Sequence, residues 1–333
     1  MNARQAIAQW HIGKLFKLYP VSTGIFNETH IARSNTGVYV LQRLHPLISH
    51  KEPTESYMAA SVFLASKNMP AQRIILSKRG GMLVKDGARM WRLMTAVPGH
   101  VFTQAKNTLT VAEAGRQLGA FHATFKDFKA PIKRPLAMFR YGTVLKALRR
   151  NAKRLTVDED KRVREAADLL LSNFPSYFLP KGLTQRLIHT DPKISNFIFD
   201  DNDRAVAMID MDTIQRLPPL YDVGDALRSL CGKEEDDPRN TFDVKKYRAF
   251  LQGYRKGSGT YLSKREWRLV PQATALVILG LAARFLNDCI DDSYFNWDST
   301  RYPSRKAHNL ARALGQIALY KDFTKKVTLR KRP

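Results

Sequence analysis

The stretch His189-Thr190-Asp191-Pro192-Lys193-Ile194-Ser195-Asn196, with Ile209-Asp210-Met211-Asp212 after it, constrains this chain more than any other feature. Asn196 opens the apolar run Phe197-Ile198-Phe199, the polar turn Asp200-Asp201-Asn202-Asp203 follows, and residues 205–209 are apolar again. That pattern predicts a β-hairpin. Closed antiparallel about its turn, the hairpin brings Asn196 and Asp210 together at its open end. An amide oxygen and a carboxylate then face one point, and a hard cation such as Mg²⁺ prefers oxygen donors of this kind. Asp191 lies on the loop leading in, beside the cation without being its main ligand, where a general base would stand.

No rival catalytic signature accompanies it: G-x-S-x-G, a Walker loop and a dinucleotide-binding fingerprint are all absent. The 333 residues allow one large or two ordinary domains, and 44% hydrophobic with 26% charged residues is an ordinary globular composition. The longest apolar run, 273–283, is shorter than the ~20 residues a bilayer span needs and predicts a buried helix. No secretory signal is expected, and residues 10–18 read as an amphipathic first helix. Cys231 and Cys289 form no C-x-x-C, which implies neither a disulfide framework nor a zinc site and fits a reducing, cytoplasmic setting. The excess of 55 basic over 30 acidic residues, a net charge of +25, favours anionic ligands or surfaces, with no obligatory nucleic-acid partner expected. The cluster Arg149-Arg150-Asn151-Ala152-Lys153-Arg154 reads as a solvated helix face.

Strand-like stretches at 29–32, 37–44, 74–76, 82–85 and 90–96 surround one helical stretch at 53–67. From Thr110, placed to cap a helix over 111–125, the pattern turns helical through 136–155 and 158–171 and again after the hairpin. Val97-Pro98-Gly99 divides a sheet-rich part, 1–97, from a helix-rich part, 98–333.

The spacing of His189, Asp191, Asn196 and Asp210 is that of the kinase catalytic loop and its metal-binding Asp, and Lys193 falls where many kinases hold a lysine near the γ-phosphate. Only Met211 to Tyr221 separates Asp210 from Asp222, too short for the activation loop of a protein kinase, while extra helical sequence at 131–178 precedes the catalytic loop. A small acceptor is expected, not a peptide. The sequence resembles the aminoglycoside phosphotransferase and choline kinase superfamily, and is most similar to its N-acetylhexosamine 1-kinases. The resemblance lies in Gly24-Ile25-Phe26-Asn27-Glu28-Thr29, Tyr39-Val40-Leu41-Gln42-Arg43, the two catalytic segments, Tyr221-Asp222-Val223-Gly224-Asp225 with Arg228, and C-terminal patches around Arg284-Phe285-Leu286-Asn287-Asp288, Tyr294-Phe295 and His308-Asn309-Leu310.

That resemblance implies an α+β, two-lobed, protein-kinase-like fold with a small β-rich N-lobe and a larger, mainly helical C-lobe, and transfer of a phosphoryl group from ATP with Mg²⁺ to a small-molecule hydroxyl. A hexose or N-acetylhexosamine is the expected acceptor; aminoglycoside, choline or homoserine-type acceptors and a non-catalytic nucleotide- or nucleic-acid-binding role are the alternatives. Asp191 is the expected base with Lys193 beside it; Asn196, Asp210 and Asp212 are the expected metal ligands. His189 and Asp222 are expected to brace the loop. The resemblance places Gly24, Asn27 and Thr29 in the nucleotide loop and Thr95 and Val97 at an adenine-facing hinge. The family's strand lysine is missing; of Gln42 and Arg43, only one can face the cleft, and charge favours Arg43, with Glu55 as its partner. Thr190, Arg284 and Tyr294 are expected at the acceptor, although Thr190 and Ile25 depart from the group's usual Asn and His. Arg284 could instead pair with Asp288 one turn on.

Overall fold

Apolar and polar side chains alternate through the N-terminal sequence between turn residues. In the computed structural model, which describes residues 1–21, 27–136, 139–155 and 160–328, they close into one antiparallel sheet. After the short helix α1 (Ala3–Ile7) come strands β1 (Leu15–Val21), β2 (Glu28–Ser34) and β3 (Gly37–Arg43), helix α2 (Lys51–Ser66), and strands β4 (Ile74–Ile75), β5 (Val84–Asp86) and β6 (Arg89–Thr95). The order is β1-β2-β3-β6-β4, with β5 paired to β6. Period-two alternation gives the central strands two buried faces. Val40 and Met94 pack with Tyr57, Ala60 and Leu64 of α2, whereas Leu41, Trp91 and Leu93 pack with Trp10 and Ala32 on the opposite side.

The helix expected over residues 10–18 is not formed. Gly13 sits at φ +68°, where a Cβ would run into the Asn35 side chain, and the chain beyond it pairs with β2 as an edge strand. Trp10 is buried and its indole Nε1 donates to the Ile75 carbonyl at 2.8 Å.

The helical part contains α3 (Thr108–Thr124), α4 (Tyr141–Ala152), α5 (Lys161–Asn173), short strands β7 (Arg186–Ile188), β8 (Phe197–Phe199), β9 (Ala205–Met208) and β10 (Gln215–Leu217), then α6 (Leu220–Cys231), α7 (Val244–Ser258), α8 (Lys264–Asp291) and α9 (Arg305–Lys326). Asn107 rather than Thr110 caps α3: its Oδ1 accepts the Thr110 N–H at 3.0 Å. The apolar run 273–283 lies within α8, which starts with a Ser263–Glu266 capping box. That helix is long and apolar enough to cross a membrane, but 72% of its apolar window is buried by the protein, as in a core helix. Both cysteines are free and buried. The basic cluster of α4 is partly neutralised: Arg150 and Arg154 reach Asp291 at 3.5 and 3.3 Å, and Asn151 is buried against Asn287 and Asp291.

Helices α3 and α7 pack backbone against backbone. Gly115 and Gly119 face the main chain of Phe250 and Tyr254, while Gly253 and Gly257 face that of Ala112 and Arg116. A Cβ at any of the four would meet backbone, which cannot swing aside. This contact holds His122 of α3 against Tyr254 of α7, with the Tyr254 hydroxyl 2.7 Å from His122 Nδ1. Gly253→Ala is therefore expected to destabilise the fold by about 1–3 kcal/mol in denaturant titrations despite the better helix propensity of Ala. Gly142→Ala in α4, where a Cβ meets nothing, serves as the control and should be neutral or stabilising.

Candidate active site

The site is built from the inside outward. The Asp222 carboxylate on α6 is fully buried and accepts the backbone N–H groups of His189 at 2.6 Å and Thr190 at 2.7 Å. His122 Nε2 is 3.0 Å from its Oδ2. A carboxylate only accepts, so Nε2 carries the proton and Nδ1 receives the Tyr254 hydroxyl. The bonds to Asp222 hold Thr190 at φ +75°, a left-handed conformation that costs a β-branched residue on the order of 1–2 kcal/mol. The loop bends there and directs Asp191 outward. His189 is buried, donates through Nε2 to the Ile209 carbonyl at 2.8 Å, and so ties the loop to the hairpin's other end. Burial holds its pKa below the ordinary imidazole value.

Strands β8 and β9 pair antiparallel, Phe197 opposite Met208, and the Ile209 N–H donates to the Asn196 carbonyl at 2.9 Å. Asn196 and Asp210 thus stand at one end of the hairpin. Asn196 Nδ2 donates to the Asp191 backbone carbonyl at 2.8 Å and to Asp191 Oδ2 at 3.0 Å, and its side-chain oxygen takes no hydrogen bond from a described residue. Lys193 Nζ lies 2.8 Å from Asp191 Oδ2. Packing around Asp191 works against its charge, but Lys193 outweighs it and holds the carboxyl below the usual range; Asp191 in turn raises the Lys193 pKa. The Asp191 side chain remains 32% exposed, within reach of a ligand.

Asp210 occupies a left-handed backbone conformation, φ +67°, and its carboxylate takes no hydrogen bond from any described residue. Burial, followed by the neighbouring charge of Asp212, pushes it up to about 7. Added positive charge is stabilised at such a point, so the Asn196 oxygen and Asp210 fit a hard divalent cation. Among the described residues no three His, Cys, Asp or Glu side chains are grouped to hold a metal alone. A cation here would share phosphate oxygens, as Mg²⁺ does in phosphoryl-transfer sites.

Asp212 does not fit the role of metal ligand expected for it. Both of its oxygens are taken from the sheet side: Arg92 reaches Oδ1 at 2.5 Å and Oδ2 at 2.7 Å, and Asn27 Nδ2 donates to Oδ2 at 3.0 Å. Arg92, missed in the sequence, stands directly opposite Gln42 in the β3–β6 register and donates to its Oε1 at 3.1 and 2.6 Å. Gln42 Nε2 reaches Thr29 Oγ1 at 3.2 Å. Gln42, not Arg43, faces the cleft. Arg43 points to the opposite side of the sheet, 3.0 Å from Asp86 and 3.7 Å from Glu28, with Trp91 beneath it. Glu55 likewise does not meet Arg43; it pairs with Lys51 at 3.3 Å and Lys133 at 2.8 Å. Thr95 bonds Arg73 through both its backbone N–H and its Oγ1, at the end of β6, and half-buried Val97 follows it. Gly24 and Ile25 lie outside the described residues.

On the far side of Asp191, Arg228 bonds Asp225 Oδ1 through Nε at 2.8 Å and Glu235 through NH1 at 3.1 Å. Burial pushes the Asp225 carboxyl up, Arg228 pulls it back, and the nearby charge of Asp191 adds to the rise. Asp225 Oδ2 takes no hydrogen bond among the described residues. Thr190, expected at the acceptor, is instead turned inward: it is 2% exposed and donates to Thr213. Arg284 lies against the rings of Tyr294 and Phe295, 6.0 and 5.3 Å from their centroids. It forms no pair with Asp288, whose carboxylate accepts the N–H groups of Ser293, Tyr294 and Phe295 and ends α8. His308 is bonded to Asp236 and stacked on Tyr302.

Asp222→Asn turns one accepting oxygen into an N–H₂ donor, which faces at least one N–H donor whichever way the amide turns. It is expected to cost about 1.5–3 kcal/mol and to speed hydrogen exchange at His189 and Thr190; unchanged protection there would contradict the anchoring role.

The aminopropanol kinase associated with a microcompartment superposes on the chain with a TM-score of 0.70 at 18% identity, covering 97% of each chain. Amicoumacin kinase hAmiN, solved with AMP-PNP, Ca²⁺ and Ami, superposes with a TM-score of 0.65 at 16% identity over 98% of this chain and 94% of that one. These likenesses establish the protein-kinase-like fold. In sequence, the homoserine kinase of Rhodopseudomonas palustris (strain BisA53) is 23% identical over 284 residues, 85% of this chain and 82% of that protein. The homoserine kinase of Gluconobacter oxydans (strain 621H) is 23% identical over 281 residues, 84% of each. Residues 18–260 match the model of APH, the phosphotransferase enzyme family. With that match covering most of its length, the chain belongs to the APH family of phosphotransferase enzymes and is a small-molecule kinase.

Proposed function

We propose that this protein uses ATP and Mg²⁺ to phosphorylate the hydroxyl of a small amino-bearing alcohol of the homoserine kind. One observation carries the chemistry: the reachable Asp191 carboxylate is gripped by Asn196 and Lys193, and the Asn196 carbonyl accepts the N–H of Ile209, the residue before Asp210. Asp191 orients the acceptor hydroxyl and takes its proton as that oxygen bonds to the γ-phosphorus and the bond to the β–γ bridging oxygen breaks. Lys193 offsets charge on the transferring group. Asn196 and Asp210 would hold the Mg²⁺, which would supply neutralisation of phosphate charge. Residues 1–97 would serve the nucleotide and 98–333 would carry the catalytic loop, the metal site and the acceptor site, in a cytoplasmic protein.

The acceptor class rests on two supports. The relatives reported above are homoserine kinases by name, and the best-superposing neighbour quoted is an aminopropanol kinase. Near Asp191, the unbonded oxygen of Asp225 offers a partner for an ammonium group; Arg284, expected at the acceptor, would offer a cation for a carboxylate. A sugar, suggested by the C-terminal patches, has less support: Thr190, Asp288 and His308 are occupied within the protein.

ADP release measured over a panel of homoserine, amino alcohols, hexoses, N-acetylhexosamines and aminoglycosides should favour homoserine or another small amino alcohol. Preference for a sugar or a polycationic aminoglycoside would overturn the acceptor class, and no release with any acceptor would favour a binding role. Asp191→Ala should lower turnover by on the order of 10²–10⁴ while leaving nucleotide affinity largely intact. Near-normal turnover in that variant would remove Asp191 from the chemistry.

A further inference from the structure

The buried grip on Asp212 has no explanation in the chemistry above. Strand β3 lacks the lysine that kinases place against the nucleotide phosphates, and its only cation near that position, Arg43, is on the wrong face. The neighbouring strand carries Arg92 directly across from Gln42, on the cleft face. Arg92 is 1% exposed, lies 4.7 Å from the Tyr57 ring centroid, and spends Nε, NH1 and NH2 on Gln42 and Asp212. A guanidinium is worth burying only where its donors are fully paired, and Arg's planar fork is the group able to do it.

Asp212 also accepts from Asn27, whose own Oδ1 accepts the His45 N–H at 2.9 Å. One carboxylate thus binds β6 and the start of β2 to the turn that begins at Asp210. It also sits next to the Asp210 carboxyl, whose charge it disfavours. Without Arg92 the two carboxylates would keep only Lys193 to offset their charge, and Asn27 alone would tie the turn to the sheet side.

We propose that Arg92 replaces the missing strand lysine as a positioning residue. By neutralising and holding Asp212, it fixes the Asp210 turn against the nucleotide-binding sheet, so that Mg²⁺-nucleotide meets a preformed site. This inference rests on the kinase reading of the same cleft. Two features set it apart from generic packing: its charge complementarity with Asp212 and its register with Gln42.

Calorimetric titration with Mg·AMP-PNP tests it without needing an acceptor, alongside thermal unfolding of the nucleotide-free proteins. Arg92→Met is expected to weaken Mg·AMP-PNP binding about tenfold or more, the scale of one lost charge-assisted contact. The double variant Arg92→Met, Gln42→Lys should recover most of that loss, because a cation again reaches Asp212 from the cleft face. Equal affinity in Arg92→Met and wild type overturns the proposal, as does a folded double variant that binds no more tightly than Arg92→Met. If Arg92→Met does not fold, the double variant Arg92→Met, Asp212→Asn, which removes the buried cation and its carboxylate partner together, reads the same role: severalfold weaker binding supports it, and unchanged binding overturns it. A wild-type protein that binds no Mg·AMP-PNP would overturn the kinase reading itself, and this proposal with it.

Discussion

A fully buried carboxylate, Asp222, accepts the backbone N–H groups of His189 and Thr190 and thereby sets the direction of the loop that presents Asp191. Desolvating a carboxylate is expensive unless its oxygens are filled, and here two backbone donors and His122 fill them. The chain of dependence continues outward. His122 is placed by Tyr254, and Tyr254 by the close approach of α3 and α7 that only glycines permit. Stability and chemistry therefore share one path, from helix packing through a histidine to a strained backbone turn at Thr190.

A second buried carboxylate joins the sheet to the helical part. Asp212 is held by Arg92 of β6 and by Asn27 just before β2, both far away in sequence, while Asp210, two residues before it, takes no hydrogen bond from a described residue. Two neighbouring acidic groups thus divide the work: one is neutralised and structural, the other is left with charge that burial and its neighbours disfavour. The +25 net charge of the chain is consistent with an anionic nucleotide, whereas around Asp191 the carboxyl groups of Asp191, Asp225 and Glu235 outnumber the cations Lys193 and Arg228 by one.

What could be read in the sequence was local. The order His189, Asp191, Asn196 and Asp210, with an apolar hairpin between the last two, fixes their relative placement through short-range chain geometry. Strand alternation showed that Gln42 and Arg43 must face opposite ways, but charge alone chose the wrong one. The cation of the cleft comes from β6, and nothing local to β3 reveals the register that puts Arg92 across from Gln42. The same limit applies to Thr190, whose hydroxyl finds Thr213, and to Glu55, whose partners include Lys133 from a distant segment. The edge strand Leu15–Val21 was hidden because its apolar spacing also suits a helix; Gly13 in a left-handed conformation settles the matter only once Asn35 is beside it. The paired glycines of α3 and α7, each spaced by one helical turn, are a local signal of close helix packing that went unread in the sequence.

Phosphorus NMR of the products formed from Mg·ATP and homoserine tests the central claim most directly, since it reports the bond that forms. If Asp191, Asn196 and Asp210 carry phosphoryl transfer to a small amino alcohol, one phosphomonoester resonance should grow in step with ADP. ADP accompanied only by inorganic phosphate, with no phosphoester from homoserine or any related amino alcohol, would contradict it.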